Sequence, residues 1–141
     1  MKYALRKATD DDYWYCYNLT KKNMLVLFTE HWGGWVPAEF RKGYKSTQIR
    51  IVIQNGKRIG YISTINESDR LYIDNIQISR MARNKGIGSH ILKLIIKNSK
   101  HDKLSLTTFP NNPAMRLYQR LGFTTDSVSN SSSTLGARLL S

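Results

Sequence analysis

A short basic turn containing two glycines, Arg83-Asn84-Lys85-Gly86-Ile87-Gly88, separates two apolar stretches of the chain. Residues 71–78 have the composition of a strand, and residues 87–96 repeat apolar side chains with the period of a helix. Backbone N–H groups at the start of a helix point outward, and the helix dipole favours negative charge there. The turn therefore predicts a phosphate site, although glycines before a helix are also common in simple tight connections.

The net charge is consistent with an anionic ligand but does not identify one. The chain has 22 Lys and Arg against 10 Asp and Glu, a formal charge of +12. Such a field attracts polyanions, either a nucleic acid or a polyphosphorylated small molecule. Because the basic residues are spread along the chain and form no tail, the charge does not single out nucleic acid. The charge can also be no more than a solubilising surface, and we expect no nucleic-acid partner.

Length and composition predict one globular domain, residues 1–141, because 141 residues suffice to bury a core but not two. The single cysteine, Cys16, cannot form an internal disulfide, and the three histidines show no metal-ligand spacing with it, so we expect no metal. No apolar run approaches the ~18 residues of a membrane span, and the N-terminus lacks the apolar region of a signal peptide. These features predict a cytoplasmic protein without a membrane partner.

The N-terminal part of the chain predicts a strand followed by helices. Residues 3–7 have strand composition, and Thr9 with Asp12 three positions later forms a helix-start box. The aromatic-rich residues 13–44 predict one or two helices that are broken at Gly33-Gly34.

The middle of the chain predicts three strands of one antiparallel meander. Residues 48–54 and 58–65 are rich in Ile and Val, and Asn55-Gly56-Lys57 between them is a strong hairpin signal. Residues 71–78 supply the third strand.

The last third predicts alternating helices and strands. After the helix at 87–96, residues 104–108 predict a strand and residues 113–121 a helix that ends at Gly122. The polar, serine-rich residues 124–141 offer only one or two weak strands. The full order predicts an α/β fold with a mixed, mostly antiparallel sheet of six to seven strands and about four helices.

A second motif allows a family to be named. Residues 111–123 read Asn-Asn-Pro-Ala-Met-Arg-Leu-Tyr-Gln-Arg-Leu-Gly-Phe. This run resembles the Asn-x-x-Ala-x-x-Leu-Tyr-x-x-x-Gly-Phe segment of the GNAT superfamily of acetyl-CoA-dependent N-acetyltransferases. The turn at 83–88 resembles that family's Gln/Arg-x-x-Gly-x-Gly/Ala motif, and residues 76–78 resemble the strand end that precedes it. The resemblance is close over residues 48–123 and implies the GNAT fold.

The resemblance implies acetyl-CoA as cosubstrate. In the family its pyrophosphate lies on the glycine turn, which here comprises Arg83, Asn84, Lys85, Gly86, Ile87, Gly88 and Ser89. The pantetheine arm adds like a strand to backbone groups of Ile76 and Ile78, with Gln77 between them. Either Asn111 or Asn112 contacts the arm from the other side, since both fit a family spacing. Homodimers are frequent among members, so the resemblance also allows a homodimer.

Acetyl transfer to an amine needs a proton donor for the departing thiolate and a proton acceptor for the amine. The resemblance implies Tyr118 as the general acid, whereas without it an aromatic on a buried helix face is the plainer interpretation. Asp74 and Glu30, the latter beside His31, are the candidate bases. Asp74 can equally be a structural carboxylate and Glu30 part of a solvated helix face.

The aromatic N-terminal third is the expected acceptor wall. Trp14, Phe28, Trp32 and Trp35 form either a slot for an apolar or cationic group or part of the core. With only ten acidic residues the chain disfavours a polycationic acceptor, so we expect a primary amine of a small molecule, peptide or protein. Two other functions share these features: a non-catalytic acyl-CoA-binding or regulatory domain, and a basic nucleic-acid-binding module.

Overall fold

The computed structural model describes residues 3–83, 85–108, 111–112, 114–128 and 133–138. Within these residues seven strands and four α-helices alternate along the chain: β1 (Ala4–Lys7), α1 (Tyr13–Trp32), α2 (Pro37–Gly43), β2 (Ile49–Gln54), β3 (Lys57–Asn66), β4 (Leu71–Ile78), α3 (Ile87–Asn98), β5 (Lys103–Thr108), α4 (Met115–Arg120), β6 (Thr124–Val128) and β7 (Ser133–Arg138). The strands form one sheet in the order β1-β2-β3-β4-β5-β7-β6. The predicted mixed, mostly antiparallel α/β fold is confirmed.

The hairpin between β2 and β3 forms where the sequence predicts it. Asn55 and Gly56 have φ of 53° and 75°, so both occupy the left-handed region that a two-residue hairpin turn requires. The strands on either side pair antiparallel, from Ile49↔Ser63 to Gln54↔Lys57. Lys57 therefore belongs to β3 and not to the turn.

Strand β4 pairs in parallel with β5 over only part of its length. The paired residues run from Leu71↔Leu104 to Ile73↔Leu106, and β4 then continues to Ile78. At the other side of β5, strand β7 pairs antiparallel with it and with β6. The polar C-terminal segment thus supplies both weak strands; residues 129–132 and 139–141 lie outside the described residues.

The helix ends follow the predicted glycines. Gly33 ends α1 with φ 80° and donates its N–H to the carbonyl of Phe28, which confirms the break at Gly33-Gly34. Gly122, with φ 95°, follows α4 in the same way. Helix α4 begins at Met115, later than predicted, and Pro113 lies outside the described residues. None of the described helices is long and apolar enough to cross a bilayer.

The chain divides into two compact units, and β3 and β4 contribute residues to both. The first unit, residues 1–63 and 75–82, holds β1, β2, α1 and α2 around a core formed by Ala8, Cys16, Leu19, Ile49, Ile51 and Tyr61. The second unit, residues 64–74 and 83–141, holds α3, α4 and β5 to β7. Its buried side chains include Leu71, Ile73, Ile87, Ile91, Leu92, Leu104, Leu106, Tyr118 and Phe123.

A buried carboxylate ties the first strand to the start of the helical region. Asp12 completes the predicted capping box by accepting the Thr9 N–H at 2.9 Å. Arg6 donates to both of its oxygens at 2.8 Å, and Arg58 donates to one of them at 3.2 Å. The hydrogen bond from Arg6 is the largest of the effects that hold the pKa of Asp12 well below its usual range. The carboxylate is 1% exposed, so its charge depends on these donors.

Replacing Asp12 by Asn should lower the free energy of unfolding by about 2–4 kcal/mol, because two guanidinium groups lose their buried partner. Both arginines keep contact with water, which favours the lower part of this range. Urea denaturation measures the loss. The depressed pKa means that the contribution is present above the unfolded pKa of about 3.9 and fades as pH falls below it. Wild type and D12N should therefore converge in acid.

The matched control is Asp69→Asn, which removes the exposed ion pair of Asp69 with Arg70. This variant should unfold like wild type. Equal stability of D12N and D69N at neutral pH would contradict the role given to Asp12.

Candidate active site

The predicted anion site lies at the start of α3. Gly86 precedes the helix with φ 76° and ψ 7°, in the left-handed region, and its carbonyl accepts the His90 N–H at 3.0 Å. Ile87 is buried and anchors the first turn, whereas Arg83 and Lys85 are exposed. Because the first N–H groups of a helix have no partner within it, this end offers donors to an anion. Asn84 lies outside the described residues.

The two glycines of the turn serve different purposes. A Cβ added at Gly86 would meet no atom within 4 Å, so glycine is required there by its left-handed backbone. A Cβ added at Gly88 would approach Cδ2 of Leu117 to 3.2 Å. Gly88 thus lets the first turn of α3 lie close to Leu117 of α4, the residue that precedes Tyr118.

Tyr118 lies on the buried face of the short helix α4. It is 5% exposed, and its ring meets that of Phe123 edge to face with centroids 6.1 Å apart. Burial raises the pKa of Tyr118 to about 12. The phenol therefore keeps its proton throughout the physiological range, so it can donate that proton but does not act as a phenolate base.

Of the two candidate asparagines, Asn112 makes hydrogen bonds at the start of α4. The Asn112 side chain donates to Oγ1 of Thr108 at 2.7 Å and accepts the Ala114 N–H at 3.0 Å. Its backbone carbonyl also accepts the Met115 N–H at 3.0 Å. Both ends of the Asn112 amide are thus engaged in starting α4. Asn111 is exposed.

The end of β4 is held tightly against β3. The Ser79 N–H donates to the Ile59 carbonyl at 2.8 Å. Gly60 has no room for a side chain, because a Cβ there would collide with the Gln77 carbonyl and approach Cα of Ile78 to 3.2 Å. Since successive residues of a strand turn their backbone groups to opposite edges, Ile76 and Ile78 direct theirs away from the edge that Ser79 uses.

Asn23 of α1 reaches the same strand end. Its Nδ2 donates to Oε1 of Gln77 at 3.0 Å and to the carbonyl of Ile78 at 3.1 Å. Gln77 is 7% exposed, so this contact satisfies a buried amide.

The hydrogen bonds continue from Gln77 into the core of the first unit. Gln77 Nε2 donates to Asn75 Oδ1 at 2.9 Å, and Asn75 Nδ2 donates to the Tyr61 hydroxyl at 2.8 Å. The Tyr61 hydroxyl lies 2.5 Å from Oγ1 of Thr20, which donates to the Cys16 carbonyl at 2.7 Å. A chain of polar groups therefore links α1 to the last residues of β4.

Sequence reasoning identified Gln77 but missed the rest of this chain. Two signals were available. Leu71 and Ile73 predict a buried face of β4, and Asn75 and Gln77 continue that face with polar residues. A side-chain amide on a buried strand face needs a hydrogen-bond partner, and a polar residue of the helix that packs on that face can supply one.

The two candidate bases, Asp74 and Glu30, both lie at the surface. Asp74 is exposed on β4, and Glu30 is exposed in the last turn of α1 beside the half-buried His31. Within the part of the chain that the structure describes, no group of three or more His, Cys, Asp or Glu side chains is suited to a metal ion.

Three of the four aromatics proposed for the acceptor wall are stacked. The Phe28 ring stacks with those of Trp32 and Trp35, with centroids 4.6 Å and 5.5 Å away. Trp14 lies outside this stack, meeting Tyr13 and Tyr17 edge to face at 5.1 Å and 5.2 Å, and Tyr17 also contacts Trp35. Trp14 and Trp32 are about as exposed as each other, at 60% and 62%, so neither is a core residue.

Comparison with known families decides the assignment, because the model of the acetyltransferase (GNAT) family matches residues 7–123. The chain belongs to the GNAT family. It is therefore an acyltransferase, and acetyl transfer is its chemistry. None of the curated proteins matches this GNAT chain.

Solved structures of similar fold are themselves acetyltransferases. The PaiA N-acetyltransferase from Thermoplasma acidophilum, in complex with coenzyme A, superposes with a TM-score of 0.77 at 14% identity, covering 98% of this chain and 99% of that one. The ribosomal-protein-S18-alanine N-acetyltransferase from Escherichia coli gives 0.75 at 17% identity, covering 99% and 96%. At such identities the likeness shows the fold.

A third similar structure belongs to a longer protein. The N-acetylglutamate synthase from Neisseria gonorrhoeae, complexed with coenzyme A and N-acetyl-glutamate, gives a TM-score of 0.74 at 17% identity. The match covers 100% of the chain described in this article and only 36% of the synthase chain.

Proposed function

We propose that this protein transfers the acetyl group of acetyl-CoA to a primary amine of a small molecule, peptide or protein, by direct attack within a ternary complex. The observation that carries the proposal is the start of α3, where the left-handed Gly86 and a second glycine, Gly88, lie beside exposed cations. The first N–H groups of a helix have no partner within it, so they can donate to an anion there. The crystallisation of structural neighbours with coenzyme A supports it.

The pyrophosphate of acetyl-CoA would bind at this helix start. Backbone N–H groups of Gly86, Ile87, Gly88 and Ser89 act as donors, while Arg83, Asn84 and Lys85 of the turn add charge and a further amide. Helix dipole and cations act together here, because both favour negative charge at the same point.

The pantetheine arm would lie along the end of β4. Pairing with β5 stops at Ile73, and the strand continues with Ile76, Gln77 and Ile78. The arm contains amide groups that can pair with backbone groups of Ile76 and Ile78 as a strand does. Either Asn111 or Asn112 would make the second contact with the arm from the other side.

In the reaction the amine nitrogen attacks the thioester carbonyl carbon, an N–C bond forms, and the C–S bond breaks. The backbone N–H of Ile76 would stabilise the carbonyl oxygen. Tyr118 would donate to the departing sulfur. A phenol with a pKa of about 12 is a weak acid for this task, since full proton transfer to a thiolate of pKa about 8.5 is uphill by roughly 5 kcal/mol. Its main contribution is then a hydrogen bond to sulfur as charge develops.

The amine must lose a proton before or during attack. Asp74 and Glu30 are the two carboxylates that we propose for this role, either directly or through water. Both are exposed, so each can pass the proton on to solvent.

The acceptor class follows from charge and from the aromatic stack. A chain with a formal charge of +12 repels polycationic acceptors. It has 10 acidic residues, and one of them, Asp12, already forms ion pairs with two arginines. Of two structural neighbours, one is named a ribosomal-protein-S18-alanine N-acetyltransferase and the other is complexed with N-acetyl-glutamate, which supports a peptide or amino-acid amine as acceptor. We propose the stack of Phe28, Trp32 and Trp35 as one wall of the acceptor site.

Titration calorimetry should show that acetyl-CoA binds, and a screen of amines, amino acids and peptides should detect release of free CoA. Gly88→Val should weaken binding at least about tenfold, because its branched side chain crowds both Leu117 and the helix N–H groups. Gly43→Val is the matched control, since Gly43 is exposed and a Cβ there meets no atom within 4 Å.

A wild-type protein that does not bind acetyl-CoA would refute the proposal. Binding without any turnover would favour a non-catalytic acyl-CoA-binding domain. Salt-sensitive binding of RNA that survives saturating CoA would favour a nucleic-acid module.

Tyr118→Phe should lower kcat about 10²- to 10³-fold while leaving acetyl-CoA affinity near wild type, because only the hydrogen-bond donor to the departing sulfur is lost. The control is Tyr15→Phe, whose hydroxyl is buried without a hydrogen-bond partner among the described residues. With the pKa of Tyr118 near 12, wild-type kcat should show no decline attributable to this phenol up to about pH 10. Full activity of Y118F would remove Tyr118 from the mechanism.

Trp32→Ala should raise KM for the best acceptor found in the screen by about three- to tenfold, because the outer ring of the stack is lost. Calorimetry with acetyl-CoA should give an unchanged Kd. Trp14→Ala removes an equally exposed tryptophan outside the stack and should leave acceptor KM unaltered. Similar effects from both substitutions would argue against a specific acceptor wall.

A further inference from the structure

The backbone carbonyl of Ile78 determines which way round the Asn23 amide lies. A carbonyl oxygen can only accept a hydrogen bond, so the Asn23 atom that faces it at 3.1 Å is the nitrogen. The same nitrogen faces Oε1 of Gln77 at 3.0 Å. Both protons of the Asn23 amide are therefore used.

The polarity then propagates through the chain of hydrogen bonds. Gln77 receives at its oxygen, so its nitrogen donates to Asn75, and the nitrogen of Asn75 donates to Tyr61. At the far end the Cys16 carbonyl requires the proton of Thr20. Tyr61 must in turn donate to Thr20. With a backbone carbonyl at each end, the direction of every hydrogen bond in the chain is fixed and none of the amides can flip without losing one.

One group of Asn23 is left over, its side-chain oxygen Oδ1. Asn23 is half-buried, and its hydrogen bonds within the described residues are both made by Nδ2. The oxygen is thus an acceptor of fixed orientation, held on the same amide as the nitrogen that contacts the Ile78 carbonyl.

We propose that Asn23 is an additional positioning residue for the acyl-CoA substrate, whose Oδ1 accepts an amide N–H of the pantetheine arm beside Ile78. The inference rests on the proposed function, which places that arm along the end of β4. It adds a side chain of α1 to the contacts that the proposed function gives the arm. The arm carries amide N–H groups that need acceptors once they leave water, and Asn23 offers one without having to reorganise.

Asn23→Ala should increase the Kd and KM for acetyl-CoA by about two- to tenfold, the value of one neutral hydrogen bond, with kcat for the bound complex close to wild type. Asn23→Asp should bind at least as weakly, because a carboxylate would face the acceptors on Gln77 and Ile78. The matched control is Asn18→Ala, an exposed asparagine of the same helix. Thermal unfolding of each variant checks that it is folded at the assay temperature.

A change in the ligand separates a direct contact from a merely structural effect. Acetyl-CoA analogues in which one arm amide is replaced by an ester lack that N–H. For one of the two arm amides, the ester should weaken binding to wild type and N18A but leave binding to N23A nearly unchanged, so that the two losses are not additive.

Two results would overturn the inference. Equal affinity of N23A and N18A for acetyl-CoA is one, and fully additive losses for both ester analogues is the other. Neither outcome touches the proposed function, which fails only if wild type itself does not bind or turn over acetyl-CoA.

Discussion

The polar side chains packed around the end of β4 must satisfy one another's hydrogen bonds. An unpaired buried donor or acceptor costs about 1–3 kcal/mol, and Asn75, Gln77 and Tyr61 lie where the core of the first unit would otherwise be apolar. The structure meets this constraint with a single chain of hydrogen bonds from the Ile78 carbonyl to the Cys16 carbonyl. Gly60 contributes to the same arrangement, because a side chain at this position would collide with the Gln77 carbonyl and keep β4 from lying so close to β3.

Charge is kept away from the buried parts of the molecule with one exception. Among the buried residues of the described chain, Asp12 alone carries a formal charge at neutral pH, and it is surrounded by donors from Arg6, Arg58 and Thr9. Its role is structural. The groups proposed to act on the thioester itself are neutral instead: the backbone N–H of Ile76, and a Tyr118 phenol that burial keeps protonated. Neutral donors suit a thioester, because they stabilise charge that develops only during the reaction.

Local features were predicted well where a residue type has only one backbone solution. Asn55-Gly56 indicates a two-residue hairpin because both residues tolerate positive φ, and Gly33 indicates a helix end for the same reason. The box at Thr9 and Asp12 was also correct, but its sequence did not reveal that Arg6 and Arg58 complete it. The C-terminal strands were predicted less clearly, because the composition of residues 124–141 is polar. The polar C-terminal segment forms β6 and β7 because β5 offers an edge to pair with, which composition does not record.

The amino-acid sequence by itself determined the family, the position of the glycine turn and the presence of Tyr118 in its motif, because these depend on residue types at short spacing along the chain. The tertiary structure decided everything that depends on contacts between distant residues. It engages Asn112 in starting α4, exposes Trp14 and Trp32, raises the pKa of Tyr118 by burial, and directs Asn23 onto Ile78. The physical reason is that hydrogen bonds and desolvation are set by neighbours in space, and Asn23 and Ile78 become neighbours only when α1 packs against the sheet.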